Sequence, residues 1–386
     1  MDEVSSIRRA QTRLADAREA VRAFHAGVAQ DDMALVVFFC ASSYDLDVIA
    51  DEMRRCFAGV QVVGCTSAGE IGPAGYVEDS LAGVSFGGRD FSAVSGCLHH
   101  LQDFEAAAGQ ALARRLQGEL DRSDGPHQAA SRFGLLLIDG LSVREEAVTR
   151  AIQSALGVTP LVGGSAADGT NYGKTLVYAD GQFHNDAAVL TLVATPRPFR
   201  LFDTHHFGPT DERLVVTSAD PARRVVHEIN GLPAAQEYAR LLGVPQDALT
   251  PEQFAGSPVM VIIGGASYIR SIQKVNPDGS LTFFCAIENG LILRIGRSFD
   301  LCANLQGALA RVRGEIGPPE LVLGCDCLLR RVEILQSPDR EAINAALQDC
   351  NIIGFNTYGE QFRGAHLNQT LAAIAIGAPG PEVKRG

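Results

Sequence analysis

The chain has 386 residues, 46% of them hydrophobic and 20% charged, with a formal net charge of −12. This is globular composition at a length that points to two domains. The negative balance excludes nucleic acid and anionic membrane surfaces as partners, because both need a basic face.

In chain order, the first nine residues lack the apolar core of a secretion signal. Ala10, Leu14, Ala17, Val21 and Phe24 recur at spacings of three and four, which predicts a helix over 6–29 with Gly27 near its stop. Leu35–Phe39 then opens an apolar strand, followed by an amphipathic helix carrying Leu46, Ile49, Met53 and Phe57. A strand over 91–98 and a helix over 104–116 precede a polar stretch, 117–132, broken by Asp124-Gly-Pro126 and predicted to be a loop. A helix over 143–156, strands over 199–207 and 213–218, and a helix from Pro233 to Gly243 follow. Residues 269–275 and 281–286 predict a hairpin around Asn276-Pro-Asp-Gly279, and 300–315 a further helix. The tail after Gly377 is predicted to be loose. No apolar run is long enough to span a bilayer. The nine cysteines are scattered without disulfide spacing, which points to a reducing compartment and hence to the cytoplasm.

One pattern occurs three times: an apolar strand, an amphipathic helix, a strand ending in Gly, and a polar turn. The first copy reaches Gly64-Cys-Thr-Ser-Ala-Gly-Glu70, the second Gly163-Gly-Ser-Ala-Ala-Asp-Gly169, and the third Gly354-Phe-Asn-Thr-Tyr-Gly-Glu360. Each turn leads to another apolar strand, at 81–86, 187–193 and 371–376. Repetition of one supersecondary unit predicts an α/β fold: mixed β-sheets with helices on their outer faces. Strand–helix–strand gives a parallel pair, and the strand after the turn returns antiparallel. The turns would line a cleft at the sheet edges. Thr66, Glu70, Thr357 and Glu360 are therefore candidate ligand-binding residues, with stitching of the turn as their structural reading.

Several apparent motifs carry little. Gly169-Thr-Asn-Tyr-Gly-Lys-Thr175 is one residue short of a phosphate loop and runs into a strand rather than a helix. Cys325-Asp-Cys327 has no second pair at zinc spacing. Ser165 lacks the surrounding elbow of a hydrolase nucleophile, and neither it nor Cys65 has a matched base. No catalytic residue is assigned, and the chain reads as a non-enzyme. Among the nine histidines, His184, His205, His206 and His366 stand at strand ends, where a neutral imidazole could face an apolar pocket.

These motifs resemble the FIST domain family. The residues that carry the likeness are Val63–Ile71 and Leu161–Ser165 for an N-terminal module. For a C-terminal module they are Ile229–Ala234, Glu237-Tyr238, Gly324–Arg331, Ile353–Glu360 and Asn368–Thr370. The resemblance implies an N-terminal helix over 1–32, a FIST N-terminal module over 33–222, and a FIST C-terminal module over 223–386. It also implies a ligand-binding sensor in signal transduction, with no catalysis. Phe283–Gly290 and His205-His206-Phe-Gly208 are similar to a bacterial nitric oxide sensing subgroup of that family (NosP). That likeness implies a non-covalent haem b whose iron takes nitric oxide, and a partner histidine kinase in a two-component system. His184 is the favoured iron ligand, then His206, His205 and His366. The other reading is a FIST sensor for a small polar, amino-acid-like metabolite without haem. The oligomeric state is left open, with a homodimer among the options.

Overall fold

The computed structural model describes residues 5–122 and 131–379. The Asp124–Pro126 breakers, the first four residues and the end of the tail lie outside the described residues. The architecture is mixed α/β, as the pattern predicts.

Three six-stranded sheets share one strand order. In the first, Ile7–Thr12, Leu81–Gly87, Met33–Ala41 and Val62–Ser67 lie side by side. The second has Ser92–His99, Ala187–Thr195, Ser131–Ile138 and Leu161–Ser165. The third has Phe199–Thr204, Leu371–Gly377, Pro319–Cys327 and Ile352–Thr357. In each sheet the last two strands are parallel and the preceding contacts antiparallel. The crossover is one helix in the first two units, Leu46–Cys56 and Glu145–Leu156, but two in the third, Leu328–Gln336 and Arg340–Asp349.

Beyond the parallel pair, each sheet takes a short hairpin from a different unit. Glu70–Gly72 and Gly75–Val77 of the first unit pair onto the third sheet. Val177–Ala179 and Gln182–His184 of the second pair onto the first, and Glu360–Phe362 and Ala365–Leu367 of the third pair onto the second. The exchange runs in a ring, so no sheet is complete without another unit.

Strand alternation explains the layers. Leu35, Val37 and Phe39 point inward, with Leu135 and Leu137 of the second sheet and Leu321 and Leu323 of the third, into one shared core. There Phe39 stacks on Phe355 with ring centroids 4.3 Å apart. The intervening Val36, Phe38 and Cys40 face helices Ala17–Val28 and Leu46–Cys56. Each fully buried side chain of this size contributes about 1.5–3 kcal/mol. Gly64, Gly163 and Gly354 sit where the parallel partner presses close: a Cβ on Gly64 would lie 2.5 Å from the Phe38 carbonyl oxygen. The equivalent neighbours are Leu136 and Gly324.

Three local readings of the sequence are corrected. The helix over 6–29 divides into strand Ile7–Thr12 and helix Ala17–Val28, because the strand is needed to pair with Leu81–Gly87. Asp16 caps the shortened helix, accepting from Glu19 N at 2.9 Å. Helix Ala106–Arg122 continues into the polar stretch, and strand Ser131–Ile138 begins at its end. The run 269–275 is split at Ser271: Ala266–Arg270 pairs with Val259–Ile263, and Ile272–Val275 with Leu281–Phe283. The first of these hairpins turns on Gly264 and Gly265, with φ of 59° and 85°, which a two-residue hairpin turn of this kind requires.

Between Phe199–Thr204 and helix Leu301–Ile316 the chain inserts an eight-stranded sheet running from Phe207 to Ser298. Its core includes Leu214, Tyr238, Phe254 and Phe283, and also Ala68, Ala167 and Tyr358. The last three hold the same position in the three turns. The insert is thus a cap over the ends of the three parallel strand pairs.

Candidate functional site

The three polar turns meet beneath this cap. Ala68 N donates to Asn356 O (3.0 Å), Ala167 N to Thr66 O (2.9 Å) and Ser165 N to Gly359 O (2.9 Å), so each unit's turn is bonded to another's. Thr66 Oγ1 accepts from Leu176 N at 3.1 Å, and Thr357 Oγ1 lies 2.7 Å from Ser165 O. Both threonines are fully buried. They face neighbouring backbone rather than an open cavity.

The two glutamates perform one task at equivalent positions. Glu70 Oε2 accepts from Ser80 N (3.1 Å) and Ser80 Oγ (2.5 Å), and Glu360 Oε2 accepts from Thr370 N (3.1 Å) and Oγ1 (2.8 Å). Each carboxyl spans the foot of its hairpin. The residue before each clamped hydroxyl, Asp79 or Gln369, has φ 49°, as does Asp186 in the second unit. That unit has Gly169 in place of the glutamate. There Asp139 at the strand end takes over, accepting from Asp186 N at 2.6 Å. Burial pushes Glu70 up to about 7, against the hydrogen bonds from Ser67 and Ser80 and the nearby Arg331 charge. Burial raises Glu360 further above the usual carboxylate range. Its Oε1 is buried without a partner among the described residues.

The cap is tied to the core through charge. Arg224, with φ 54°, is buried and reaches Glu145 Oε2 at 2.6 Å, the Glu146 carboxylate, and Phe284 O at 2.6 Å. Glu146 also accepts from Ala286 N at 2.7 Å. Two carboxylates from helix Glu145–Leu156 therefore hold an arginine and an amide of the cap.

The four candidate histidines lie in different places. His366 is buried, with Nδ1 3.1 Å from Gln361 Nε2 and Nε2 3.3 Å from Phe284 O. Burial pulls it down to about 4. His206 is buried with Nε2 2.8 Å from Glu333 and Nδ1 3.4 Å from Arg330 Nη1, and burial lowers its pKa as well. Both rings are engaged at both nitrogens. His184 is half-buried on its hairpin, 3.3 Å from Ala179 O, with the His99 ring edge-on at 4.8 Å. His205 differs, because its Nδ1 is buried without a partner among the described residues.

His205 lines a cleft of about 290 Å3 between the cap and the third unit. Ile269, Phe362 and Leu367 supply apolar walls, and Tyr268 and Ser267 hydroxyls. Asp203 and Arg363 supply opposite charges. Arg363 has φ 47°, in the hairpin turn with Gly364, and its guanidinium lies 5.5 Å from the Phe362 ring centroid. Sequence reasoning passed over Asp203, Tyr268 and Arg363. The Arg-Gly pair in the third hairpin was the one local signal, since a turn there aims the arginine outward.

This cleft is at the lower end of small-molecule sites, which run from about 300 to 1,000 Å3. It suits a ligand of amino-acid size. Among the described residues no group of three His, Cys, Asp or Glu side chains converges to hold a metal ion. All nine cysteines are free thiols. Ser165 is buried, and its Oγ meets Gln361 Nε2 at 3.0 Å. Among the described residues no helix is long and apolar enough to cross a membrane.

Comparison with known proteins agrees with the repeated motifs. Residues 34–232 match the FIST N domain and residues 234–363 the FIST C domain. A stretch of 208 residues is 26% identical to an uncharacterised protein of Methanocaldococcus jannaschii, covering 50% of this chain and 38% of that protein. The chain thus spans less than two fifths of the length of the curated relative it matches.

Proposed function

The chain belongs to the FIST family, with both its N and its C domain, whose modules are sensory elements in signalling, and on that premise we propose that it senses a small amino-acid-like metabolite. The site is the cleft between the cap and the third unit. One observation carries this reading: His205, whose buried Nδ1 has no partner among the described residues, lines a small cavity together with Arg363 and Asp203. A buried polar atom without a partner costs stability, and a ligand hydrogen bond would recover it. Arg363 would take a carboxylate, Asp203 an ammonium group, and Ile269 and Leu367 an apolar side chain.

Because the cleft has one wall on the cap and one on the core, a ligand there binds one relative arrangement of the two better than another. It would shift the balance between them.

Titration calorimetry of the full chain against a panel of free amino acids tests the proposal. We expect saturable binding to one or a few, weakened at least about tenfold by Arg363→Gln. No binding by any member of the panel, or binding unaffected by Arg363→Gln, would refute it.

The second reading is a nitric oxide sensor with non-covalent haem b. It draws on His205, whose Nδ1 has no partner among the described residues, and on the half-buried His184. When bound, haem would supply an iron centre for nitric oxide, and His205 or His184 would supply the imidazole. The cleft volume of about 290 Å3 argues against haem at His205. A Soret band in the purified protein, lost in His205→Ala or His184→Ala, would favour this reading over the first.

A further inference from the structure

A second cleft lies at the ends of the first unit's parallel strands, with different chemistry. Its walls come from all three units: Ser42 and Ser43 after the first strand, Gly69 in the first turn, Asn171 in the second unit's loop, and Arg331 in helix Leu328–Gln336. Its volume is about 230 Å3.

Arg331 has an incomplete set of partners. Its side chain is only 8% exposed. Nη1 donates to Ala68 O at 2.6 Å, and Nη2 is paired with the Glu78 carboxylate. Nε is buried and finds no acceptor among the described residues. Glu78, in contrast, is 66% exposed and reaches Arg331 from the solvent side. A guanidinium binds an oxyanion best through two parallel N–H groups, and the Nε/Nη2 edge is one such fork. Here one prong is taken by Glu78 and the other is bare.

The remaining carboxylates of the cleft are occupied. Asp168 accepts from Tyr172 N (3.0 Å), Gly173 N (2.8 Å), Lys174 N (2.8 Å) and the Tyr358 hydroxyl. Asp79 accepts from Ser43 Oγ at 2.8 Å. Arg331 is the one cation among the described lining residues. The N-terminal end of its helix adds backbone polarity of the same sign.

We propose that this cleft binds a small oxyanion, carboxylate or phosphate, side-on at the Nε/Nη2 edge of Arg331, and that Glu78 occupies part of the site as a built-in competitor. An anion with two oxygens along that edge satisfies both prongs, and Glu78 returns to water. The exposed position of Glu78 makes that exchange easy. The acidic neighbours Asp79 and Asp168 hold the affinity down and disfavour anions of high charge.

The test is titration calorimetry of the full chain with sodium phosphate and, separately, sodium acetate, at an ionic strength fixed with sodium chloride. We expect saturable binding of at least one anion. Phosphate alone would assign a phosphate-bearing ligand, and acetate alone a carboxylate. Glu78→Gln should tighten binding about tenfold, and Arg331→Lys, which cannot form the fork, should weaken it about tenfold. Arg363→Gln in the other cleft should leave it unchanged. If Arg331→Lys does not fold, as circular dichroism would show, Glu78→Gln decides alone. Equal affinity in wild type and Glu78→Gln overturns the competitor, and no saturable heat from either anion in both proteins overturns the site.

Discussion

Replacing Glu70 by Gln should stabilise the protein at alkaline pH and remove part of its pH dependence. Glu70 is fully buried, and burial pushes its pKa from the model-peptide value of 4.5 to about 7. The hydrogen-bond count explains why the neutral form is favoured. Ser67 has one hydroxyl proton but two acceptors within reach, Cys40 O at 3.1 Å and the Glu70 carboxyl. A protonated Glu70 can donate to Ser67 Oγ, which then donates to Cys40 O, while the other carboxyl oxygen still accepts from Ser80. Gln reproduces this pattern at every pH. The folded state therefore holds a proton that the unfolded chain releases near pH 4.5. Stability from this group is present below that pH and falls as pH rises through about 7. At about 1.4 kcal/mol per pKa unit, the loss between pH 5 and pH 8 is about 2–3 kcal/mol. With an unfolding entropy of about 2.1 cal/mol/K per residue over 386 residues, this is roughly 3 °C in Tm. Calorimetric scans of wild type and Glu70→Gln at pH 5, 6, 7 and 8 should show a difference that grows with pH in favour of the variant. A variant less stable than wild type by a constant amount at every pH would mean that Glu70 is ionised throughout, and the argument would fail.

Four further outcomes follow from packing and charge. Gly163→Ala places a methyl group against the Leu136 carbonyl and should cost about 2–3 kcal/mol in a denaturation midpoint. Gly314→Ala, in an open position on helix Leu301–Ile316, should instead add about 0.5–1 kcal/mol. Arg224→Ala strands Glu145 and Glu146 without their counter-charge and should cost about 3–5 kcal/mol, with faster hydrogen exchange at Ala286, where the cap meets the core. Tyr358→Phe removes the hydroxyl shared by Asp168 and Gly169 and should cost about 1–2 kcal/mol, read as a shift in urea midpoint.

Much of the architecture could be read from local chemistry. Apolar runs such as Leu35–Phe39 and Leu135–Ile138 mark buried strands because a strand covered on both faces has no polar side to show. The glycines at 64, 163 and 354 mark the close approach of the parallel neighbour, a constraint on backbone volume that the residue type itself records. The same holds for the Pro233–Gly243 helix, whose C-cap Gly243 has φ 70°. Pairing between distant segments left no such record. Ile7–Thr12 lies within the run predicted as helix, of whose periodic residues it holds only Ala10, and it is a strand paired along the edge of Leu81–Gly87. The hairpins that pass from unit to unit are three residues per arm, too short for any periodic signal, and Glu70 meets Phe355 only in the assembled ring. The candidate sites follow the same division. The sequence marked Glu70 and Glu360 as unusual, since a carboxyl in an apolar context needs partners. That those partners are Ser80 and Thr370 depended on how each hairpin closes, and that the open polar groups are His205, Arg363 and Arg331 depended on contacts between residues far apart in the chain.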